Sequence, residues 1–435
     1  MLSDADWLSA MRIRFIYPRF QRYMEAHPDL ASIPTVAGLW RYRMPPALGL
    51  QILATLTPPD VEWAITDANV EPVDYDEPAD LFAISFFTPQ AESANAIGDE
   101  LRRRGKTVIM GGMHPSMHPK DSVPHCDSVC VGEGERIWSR IVQDARSGRL
   151  APRYQGEPAA PEEMVTPIPN LFPKLDGYDW NAQLVQVARG CPWECDYCNL
   201  PILQSRRVRL RPVERVVENV RQLGGKDFYI TEDVVLTQSR PIARYADSLF
   251  GALTAERANI FLTSSLSFRN TPEFLDLLAR AGTRSLYVTT GFDPISRGMY
   301  EGDPALTTRA VEIARRIQDH GIRFFGAFGF GFDEDPPEVF DRVLEFCERA
   351  GVVTAEFFVV APFPNTPMWK RLSAEGRLHH ERWSEYNGGH VVFRPKHMTE
   401  EQLLAGFRRC WNEFYARVPV DEALSCFQHV HPLHA

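Results

Sequence analysis

The sequence predicts an α/β protein built from two successive parallel sheets and a small α-rich cap. Short apolar runs alternate with helix-like segments between residues 12 and 150, which is the pattern of a doubly wound, Rossmann-like domain. The alternation resumes at residue 183 and gives six strands with crossover helices, as in a partial (β/α)6 barrel. Six prolines between residues 147 and 182 predict a connector without regular structure. We therefore expect domains at 1–146, 183–375 and 376–435, with a linker at 147–182.

The composition is that of an ordinary globular protein of the cytoplasm. With 435 residues, the chain exceeds the roughly 250–300 at which single cores stop growing, so several domains are expected. A formal charge of −10 argues against a nucleic-acid partner, since such proteins carry basic patches. No apolar run approaches the roughly 18 residues that a membrane span requires. Eight cysteines, three of them in one short motif, fit a reducing compartment better than a disulfide framework.

The first domain is predicted from five short apolar runs and the helices near them. The predicted strands are 12–17, 61–65, 81–87, 107–110 and 128–131. Helices are predicted at 45–56, 92–104 and 135–145, and the chain from 18 to 44 is predicted to be a long loop. Ligands of doubly wound sheets bind at the carboxyl ends of the strands. Three such ends carry loops that contain glycine or polar residues: Phe86-Phe-Thr-Pro-Gln90, Gly111-Gly-Met-His-Pro115 and Gly132-Glu-Gly-Glu135.

The second domain is predicted from strands near 184–188, 228–231, 260–264, 285–289, 324–328 and 355–360. Helix-like segments separate them, such as 212–223, which keeps one apolar face and ends at Gly224. Barrels of this kind place their chemistry at strand carboxyl ends, so polar residues there should converge on one site. The cap is predicted from a helix at 399–415 that begins at Thr399 and buries an apolar stripe.

Three cysteines mark a metal site after the first strand of the barrel. The run Val187-Ala-Arg-Gly-Cys191-Pro-Trp-Glu-Cys195-Asp-Tyr-Cys198 ends in the spacing CxxxCxxC. Thiolates this close can hold three irons of one cubane cluster. The fourth iron then keeps an open position, as catalytic metal sites do. A structural zinc site is the alternative, but zinc commonly takes four ligands as two pairs, and the sequence has no second pair.

This arrangement resembles the radical S-adenosylmethionine (SAM) superfamily, whose barrel also has six strands. The resemblance implies that Cys191, Cys195 and Cys198 hold a [4Fe–4S] cluster, and that SAM chelates the open iron and is cleaved reductively. It implies that Tyr197 packs by the adenine of SAM. It also implies a small-molecule substrate and an external reductant such as flavodoxin or ferredoxin.

The resemblance also assigns SAM-binding roles to residues at successive strand ends. Glu232 and Asp233 match an acidic turn that contacts the amino group of SAM. Ser265 ends the third strand, Asp293 stands where an acidic residue holds the ribose, and Gly329 lies in a glycine-rich segment beside the adenine. Taken singly, an acidic residue at such a position is more often a helix N-cap or a solvated turn. Their recurrence at one edge favours a common pocket.

The loops of the first domain resemble the cobalamin-binding domain that precedes the barrel in one large radical SAM subgroup. The resemblance implies a cobalamin site formed by eight residues: Phe87, Thr88, Gly111, Gly112, His114, Pro115, Gly132 and Glu133. Glycines there let the backbone approach a flat, bulky ligand closely. The Asp-x-His-x-x-Gly motif, which supplies an axial histidine to cobalt, is absent. A purely structural α/β domain is the alternative.

Two other groups of polar residues receive plainer interpretations. His114 and His118 are four apart, but a proline directly after each disfavours one continuous helix. We expect His114 to be a loop residue at the cobalamin or substrate face and not a metal ligand. Arg207, Arg209 and Arg211 alternate after the cysteines, and we expect most of them to form a solvated strand face.

The predicted function is that of a radical SAM enzyme, with three mechanisms open. With cobalamin bound, the enzyme would be a methyltransferase acting on a small molecule of natural-product or lipid type. Without it, hydrogen abstraction would lead to cyclisation, rearrangement or group transfer in the substrate. An iron–sulfur protein that only transfers electrons or binds a partner is the third class, but it leaves the acidic strand ends unexplained.

Overall fold

Two parallel sheets dominate the structure, a computed structural model that describes residues 11–41, 48–169, 171, 183–224, 227–230, 232–256, 258–379 and 382–424. The strands of the first sheet are β1 (Arg12–Tyr17), β2 (Glu62–Asp67), β3 (Leu81–Ser85), β4 (Val108–Gly111), β5 (Ser128–Gly132) and β6 (Arg153–Gly156). Their spatial order is β2-β1-β3-β4-β5-β6, so the winding direction reverses between β1 and β3. That reversal is the switch point at which doubly wound sheets bind ligands.

The helices of this half correct one prediction. They are α1 (Pro28–Ala31), α2 (Pro34–Arg41), α3 (Leu48–Leu56), α4 (Ala91–Arg103), α5 (Met113–Met117), α6 (Pro119–Ser122) and α7 (Trp138–Arg146). The segment 18–44 is therefore not one long loop. Pro28 and Pro34 open α1 and α2, because proline is tolerated in the first turn of a helix. The helix predicted at 45–56 is confirmed from Leu48 onward, and its first residues lie outside the described residues.

Strand β6 lies inside the stretch that we predicted to be a connector without regular structure. The prediction is wrong for these four residues. Tyr154 is buried while Arg153 and Gln155 are exposed, so the alternation of a half-buried strand is present but very short. The register of β5 and β6 places Gly156 opposite Gly132. The first sheet therefore extends to Gly156.

The second sheet confirms the predicted barrel. The strands of this half are β7 (Gln183–Leu184), β8 (Ala188–Arg189), β9 (Arg209–Leu210), β10 (Phe228–Ile230), β11 (Ile260–Ser265), β12 (Thr283–Thr290), β13 (Arg323–Phe330) and β14 (Thr354–Val359). In the described part of the chain, β7 and β10 to β14 form a parallel sheet in sequence order. β8 and β9 form a separate antiparallel ribbon. The predicted first strand is therefore divided between β7 and β8.

Helices connect these strands. They are α8 (Leu200–Gln204), α9 (Val213–Gln222), α10 (Arg240–Leu253), α11 (Pro272–Arg280), α12 (Pro294–Glu301), α13 (Pro304–Asp319), α14 (Val339–Ala350), α15 (Pro367–Ala374), α16 (Glu400–Arg417) and α17 (Val420–Leu424). α16 is the predicted cap helix, and the hydroxyl of Thr399 accepts a hydrogen bond from the N–H of Gln402 (3.2 Å). The indole of Trp411 donates to the carbonyl of Phe357 in β14 (3.0 Å). Among the described helices, none combines the length and apolarity needed to cross a membrane.

The two halves of the molecule share one apolar core. Ile16 in β1 and Phe82 in β3 belong to the same buried cluster as the barrel strands and the cap. The opposite face of the first sheet packs a smaller core that contains Phe15, Leu81 and Trp138. Because one core joins the first sheet to the barrel, the strand ends of both are held in a fixed relation.

Candidate functional site

A cavity of about 650 Å³ lies between the first sheet and the start of the barrel. On one side it is lined by residues at the carboxyl ends of β1, β3, β4 and β5 and by α3. On the other side it is lined by Gln186, Arg189, Gly190 and Cys191, together with residues of α8. Ligand cavities in proteins commonly measure about 300–1,000 Å³. The cavity therefore joins the switch point of the first sheet to the loop that carries the cysteines.

The lining of the cavity fits a bulky, mainly apolar ligand such as cobalamin. Leu50, Leu53, Ile84 and Ile109 contribute apolar side chains to it. Five of the eight residues predicted to bind cobalamin line this cavity: Phe87, Gly111, Gly112, Gly132 and Glu133. The lining includes none of the described histidines. Among the described residues, this wall therefore offers no imidazole to a cobalt ion.

The backbone explains two of the predicted glycines without reference to a ligand. Gly112 and Gly132 have φ of 98° and 89°, a left-handed region that side chains rarely adopt. A Cβ on Gly112 would lie 2.8 Å from the backbone N of Phe86, and one on Gly132 would lie 2.5 Å from the carbonyl of Gly156. Both positions therefore require glycine because the neighbouring backbone leaves no room for a side chain.

His114 and Thr88 lie behind the cavity wall in a buried network. His114 belongs to α5, so its predicted loop position is wrong. Its ring is fully buried, with Nδ1 3.2 Å from Thr88 Oγ1 and Nε2 3.1 Å from Asp121 Oδ2. Burial acts to raise the pKa of Asp121, but the hydrogen bond and charge of His114, together with further hydrogen bonds, lower that pKa on balance. His114, Thr88 and Pro115 are not among the described residues that line the cavity.

Four buried charged side chains connect the first sheet to the cysteine loop. Glu133 accepts hydrogen bonds from Arg189 Nη1 (2.7 Å), from both terminal nitrogens of Arg209, and from the N–H of Ala159 (2.9 Å). Arg189 also pairs with Glu135, and each of the four side chains is at most 9% exposed. Burial alone would raise the pKa of Glu133, but the hydrogen bond from Arg209 and the charge of Arg189 lower it. Glu133 is therefore a carboxylate that holds two arginines, a role that the sequence did not reveal.

The predicted solvated arginine face is wrong for two of its three members. Arg209 is buried in the network above, and Arg211 is fully buried. Arg211 donates to the carbonyl of Gln186 (3.2 Å), to Asn219 Oδ1 (3.1 Å) and to the hydroxyl of Thr166. Burial lowers the pKa of Arg211 to about 10. Arg207 is exposed, as predicted.

The cysteine loop begins at a residue that must be glycine. Gly190 has a φ of 85°, and a Cβ there would lie 2.3 Å from the carbonyl of Arg207. Cys191 follows it on the cavity wall and is buried, whereas Cys195 and Cys198 are partly exposed. The N–H of Cys198 donates to the carbonyl of Cys195 (3.2 Å), which closes a turn between these two cysteines. No three His, Cys, Asp or Glu side chains of the described residues are gathered as a metal site, so the cluster ligands stay a prediction.

An aromatic cluster stands at the carboxyl ends of the barrel strands, where SAM is predicted to bind. The ring of Tyr197 lies 4.0 Å from that of Phe292, measured between centroids, and Phe332 lies 5.1 Å from Phe292. Gly329 borders this cluster, because a Cβ there would lie 3.3 Å from the ring of Phe292. Tyr197 and Gly329 therefore both lie next to Phe292, and their contact with SAM stays a prediction.

The acidic residues predicted to bind SAM have separate surroundings. Asp293 is the N-cap of α12, where Oδ1 accepts from the N–H of Ile295 (3.0 Å) and the hydroxyl of Ser267 (2.7 Å). That is the ordinary helix-cap alternative for such a residue. Glu232 lines the cavity and accepts from the N–H of Val187 (3.2 Å). Ser265 ends β11 as predicted, and the side chain of Asp233 lies outside the described residues.

Sequence reasoning missed one buried carboxylate beside this cluster. Asp335 accepts hydrogen bonds from the N–H groups of Gly331 (2.8 Å) and Phe332 (3.0 Å) and from Arg297 Nη1 (2.8 Å). It therefore fixes the loop after β13. Burial raises the pKa of Asp335 despite the partly offsetting charge of Arg297. The sequence signal was only an aspartate in an acidic loop, which is an ordinary surface pattern.

Three known families match parts of the chain. Residues 41–142 match the B12 binding domain, residues 185–347 match the Radical SAM superfamily, and residues 366–425 match a domain of unknown function, DUF4070. The first match contains three of the strand ends that line the cavity. The second contains the three cysteines and the barrel strands β10 to β13.

Relatives resemble the chain over most of its length. It is 28% identical to bacteriochlorophyllide d C-12(1)-methyltransferase of Chlorobaculum tepidum, over 77% of this chain and 75% of the relative. It is 22% identical to hopanoid C-2 methylase of Rhodopseudomonas palustris, over 96% and 78%. Its fold matches the radical SAM methyltransferase TsrM from Kitasatospora setae, solved with cobalamin and a [4Fe–4S] cluster bound, with a TM-score of 0.63. That match has 17% identity over 84% of this chain and 78% of the other, so it establishes a shared fold.

Proposed function

Because the chain belongs to the radical SAM superfamily and carries a B12-binding domain, we propose that it is a cobalamin-dependent methyltransferase acting on a small molecule. The predicted family and the predicted cofactors, a [4Fe–4S] cluster, SAM and cobalamin, are confirmed by these domains. The observation that carries the proposal is the shared cavity. Its wall includes both the switch point of the first sheet and the first cysteine of the CxxxCxxC loop.

The residues around the cavity divide the work of binding and positioning. When bound, the cluster supplies the electron that cleaves SAM, and cobalamin carries the methyl group. Cys191, Cys195 and Cys198 are the proposed cluster ligands. The ion pairs of Glu133 with Arg189 fix the start of the cysteine loop against the first sheet. The apolar walls of the cavity exclude water from reactive species.

We assign SAM to the carboxyl ends of the barrel strands. Tyr197 offers an aromatic surface for the adenine beside Gly329, and Glu232 offers a carboxylate to the amino group. Ser265 ends a strand at the same edge. Asp293 would support this edge as a helix cap, because its carboxylate oxygens already accept hydrogen bonds from within the protein.

The substrate we propose is a small molecule of natural-product or lipid type. The named relatives act on a bacteriochlorophyllide and a hopanoid, both of which are small molecules. An external one-electron donor such as flavodoxin or ferredoxin would reduce the cluster. We further propose that the protein works in the cytoplasm, where its cysteines stay reduced.

Anaerobic reconstitution followed by product analysis tests the proposal. Protein reconstituted with iron and sulfide is offered cobalamin, and its visible spectrum reports whether the first domain takes it up. Incubation with SAM, reductant and candidate substrates should then yield S-adenosylhomocysteine together with 5′-deoxyadenosine. 5′-Deoxyadenosine alone would indicate hydrogen abstraction without methyl transfer. If neither product forms, the protein is better explained as an electron-transfer protein.

A further inference from the structure

A short chain of ion pairs anchors the cysteine loop to the C-terminal segment. Asp196 stands directly after the second cysteine of the motif. Its Oδ2 accepts a hydrogen bond from Arg371 Nη1 (2.7 Å), and its carbonyl accepts one from the N–H of Met368 (2.9 Å). Both donors belong to α15. One helix therefore holds both the side chain and the backbone of a single loop residue.

Arg371 is itself fixed from the other side. Its Nε donates to Asp333 Oδ2 (3.2 Å), and the second oxygen of Asp333 accepts from Arg377 Nη2 (2.6 Å). The helix that carries Arg371 is capped by Thr366, whose hydroxyl accepts from the N–H of Trp369 (3.2 Å). The guanidinium thus bridges a carboxylate of the barrel and a carboxylate of the cysteine loop.

The C-terminal segment that carries Arg371 is also held to the first domain. The hydroxyl of Ser384 donates to Glu92 Oε2 (2.6 Å), and the side-chain amide of Asn387 donates to the carbonyl of Gln21 (3.2 Å). His27 Nε2 lies 2.7 Å from the carbonyl of Gly389. These bonds join the segment to the first domain as well as to the barrel.

We propose that Arg371 is a positioning residue for the cluster: it holds Asp196, and with it limits the movement of the turn between Cys195 and Cys198, so that both thiols can bind iron together. The proposal rests on the proposed function only in requiring that the three cysteines bind a cluster. It gives the domain of unknown function at 366–425 a role, because α15 is the first helix of that match. Groups that orient metal ligands from outside the first coordination sphere commonly govern metal affinity.

The matched variants are Arg371→Met and Arg377→Met. Both remove a guanidinium that bonds to Asp333, but Arg377 makes its other bonds to Glu375 and to the carbonyl of Arg394, outside the cysteine loop. Each purified full-length protein is reconstituted anaerobically at limiting iron. Iron per chain and the electron paramagnetic resonance (EPR) spectrum of the reduced cluster are then measured. Neither measurement needs cobalamin, substrate or turnover.

We expect Arg371→Met to weaken cluster binding by about tenfold, the lower end for a lost outer-sphere partner, and to change the EPR spectrum. Arg371→Lys should recover part of the cluster occupancy, because lysine restores the positive charge but not the bridge between Asp196 and Asp333. Arg377→Met should match the wild type in both measurements. An unchanged spectrum and occupancy in Arg371→Met, or the same change in Arg377→Met, would overturn the inference.

A second substitution keeps the test decisive if Arg371→Met does not fold. Asp196→Asn preserves the size of the loop residue and removes the charge that Arg371 holds. It should lower cluster occupancy in the same direction, and wild-type occupancy would count against the role of Arg371. A wild-type protein that builds no cluster would overturn the proposed function as well. A normal wild-type cluster with unaffected variants overturns the positioning role alone.

Discussion

Replacing Glu133 by Gln should destabilise the protein by about 3 kcal/mol. Removing one partner of a buried ion pair costs about 3–5 kcal/mol, because the remaining charge stays buried without compensation. Glu133 holds two guanidinium groups, which places it within that range. Glutamine keeps the size and one acceptor oxygen, and Glu135 still neutralises Arg189, so the lower end applies.

The matched control is Glu62→Gln, the same change in an exposed pair of the same sheet. Glu62 lies 3.1 Å from Arg12, and their side chains are 63% and 52% exposed. Exposed pairs are worth at most about 1 kcal/mol. Urea unfolding of each variant, followed by tryptophan fluorescence and circular dichroism, gives the free energy of unfolding. Equal losses in the two variants would refute the assignment of Glu133 as a buried anchor.

The pH dependence of the same variant adds a sign test. Because folding lowers the pKa of Glu133, its ionised form stabilises the native state above its unfolded pKa. That stabilisation is lost as pH falls through the folded pKa. The gap between wild type and Glu133→Gln should therefore be complete at neutral pH and shrink in acid. A gap that widens on acidification would contradict the lowered pKa.

Three further substitutions test the site. Cys195→Ala should abolish the iron and sulfide content of reconstituted protein, while Cys347→Ala, a buried cysteine of α14, should leave it unchanged. Gly112→Val should cost about 1–3 kcal/mol in the free energy of unfolding, since it forces a side chain into left-handed backbone. It should also weaken cobalamin uptake. Uptake equal to that of the wild type would show that Gly112 does not border the cobalamin site. Asp335→Asn should lose about 1–3 kcal/mol of stability by weakening the hydrogen bonds that the buried carboxylate accepts from the N–H groups of Gly331 and Phe332, and an unchanged free energy of unfolding would show that Asp335 does not fix this loop.

Much of the fold was predictable because several buried strands are short apolar runs. Strands such as β3 and β4 consist almost entirely of apolar residues, and the sequence order of the barrel strands follows from the alternation with helices. The cysteine motif was predictable because its chemistry depends on local spacing. β6 was missed because its four residues lie among prolines and bury only one large side chain.

The electrostatic part of the site was not predictable, because it depends on pairs that are distant in sequence. Glu133 and Arg209 are 76 residues apart, and Asp196 and Arg371 are 175 apart. The sequence predicts that Glu133 binds cobalamin and that Arg209 is exposed, because the residues around each give no sign that the two side chains meet. His114 was placed at the surface of the site for the same reason, because Asp121 and Thr88 meet it only in the folded chain.

The buried side chains of Arg189 and Arg209, which join the cysteine loop to the first domain, limit what a truncated enzyme can show. A shortened chain that begins at the barrel would carry Arg189 and Arg209 without the acidic loop that neutralises them, and Arg189 lies only two residues before Cys191. In such a fragment the two uncompensated guanidinium groups would repel each other and bind water beside the cysteine loop. Loss of activity on truncation would then report a damaged iron site, and could not by itself measure what the vitamin-binding half contributes to catalysis.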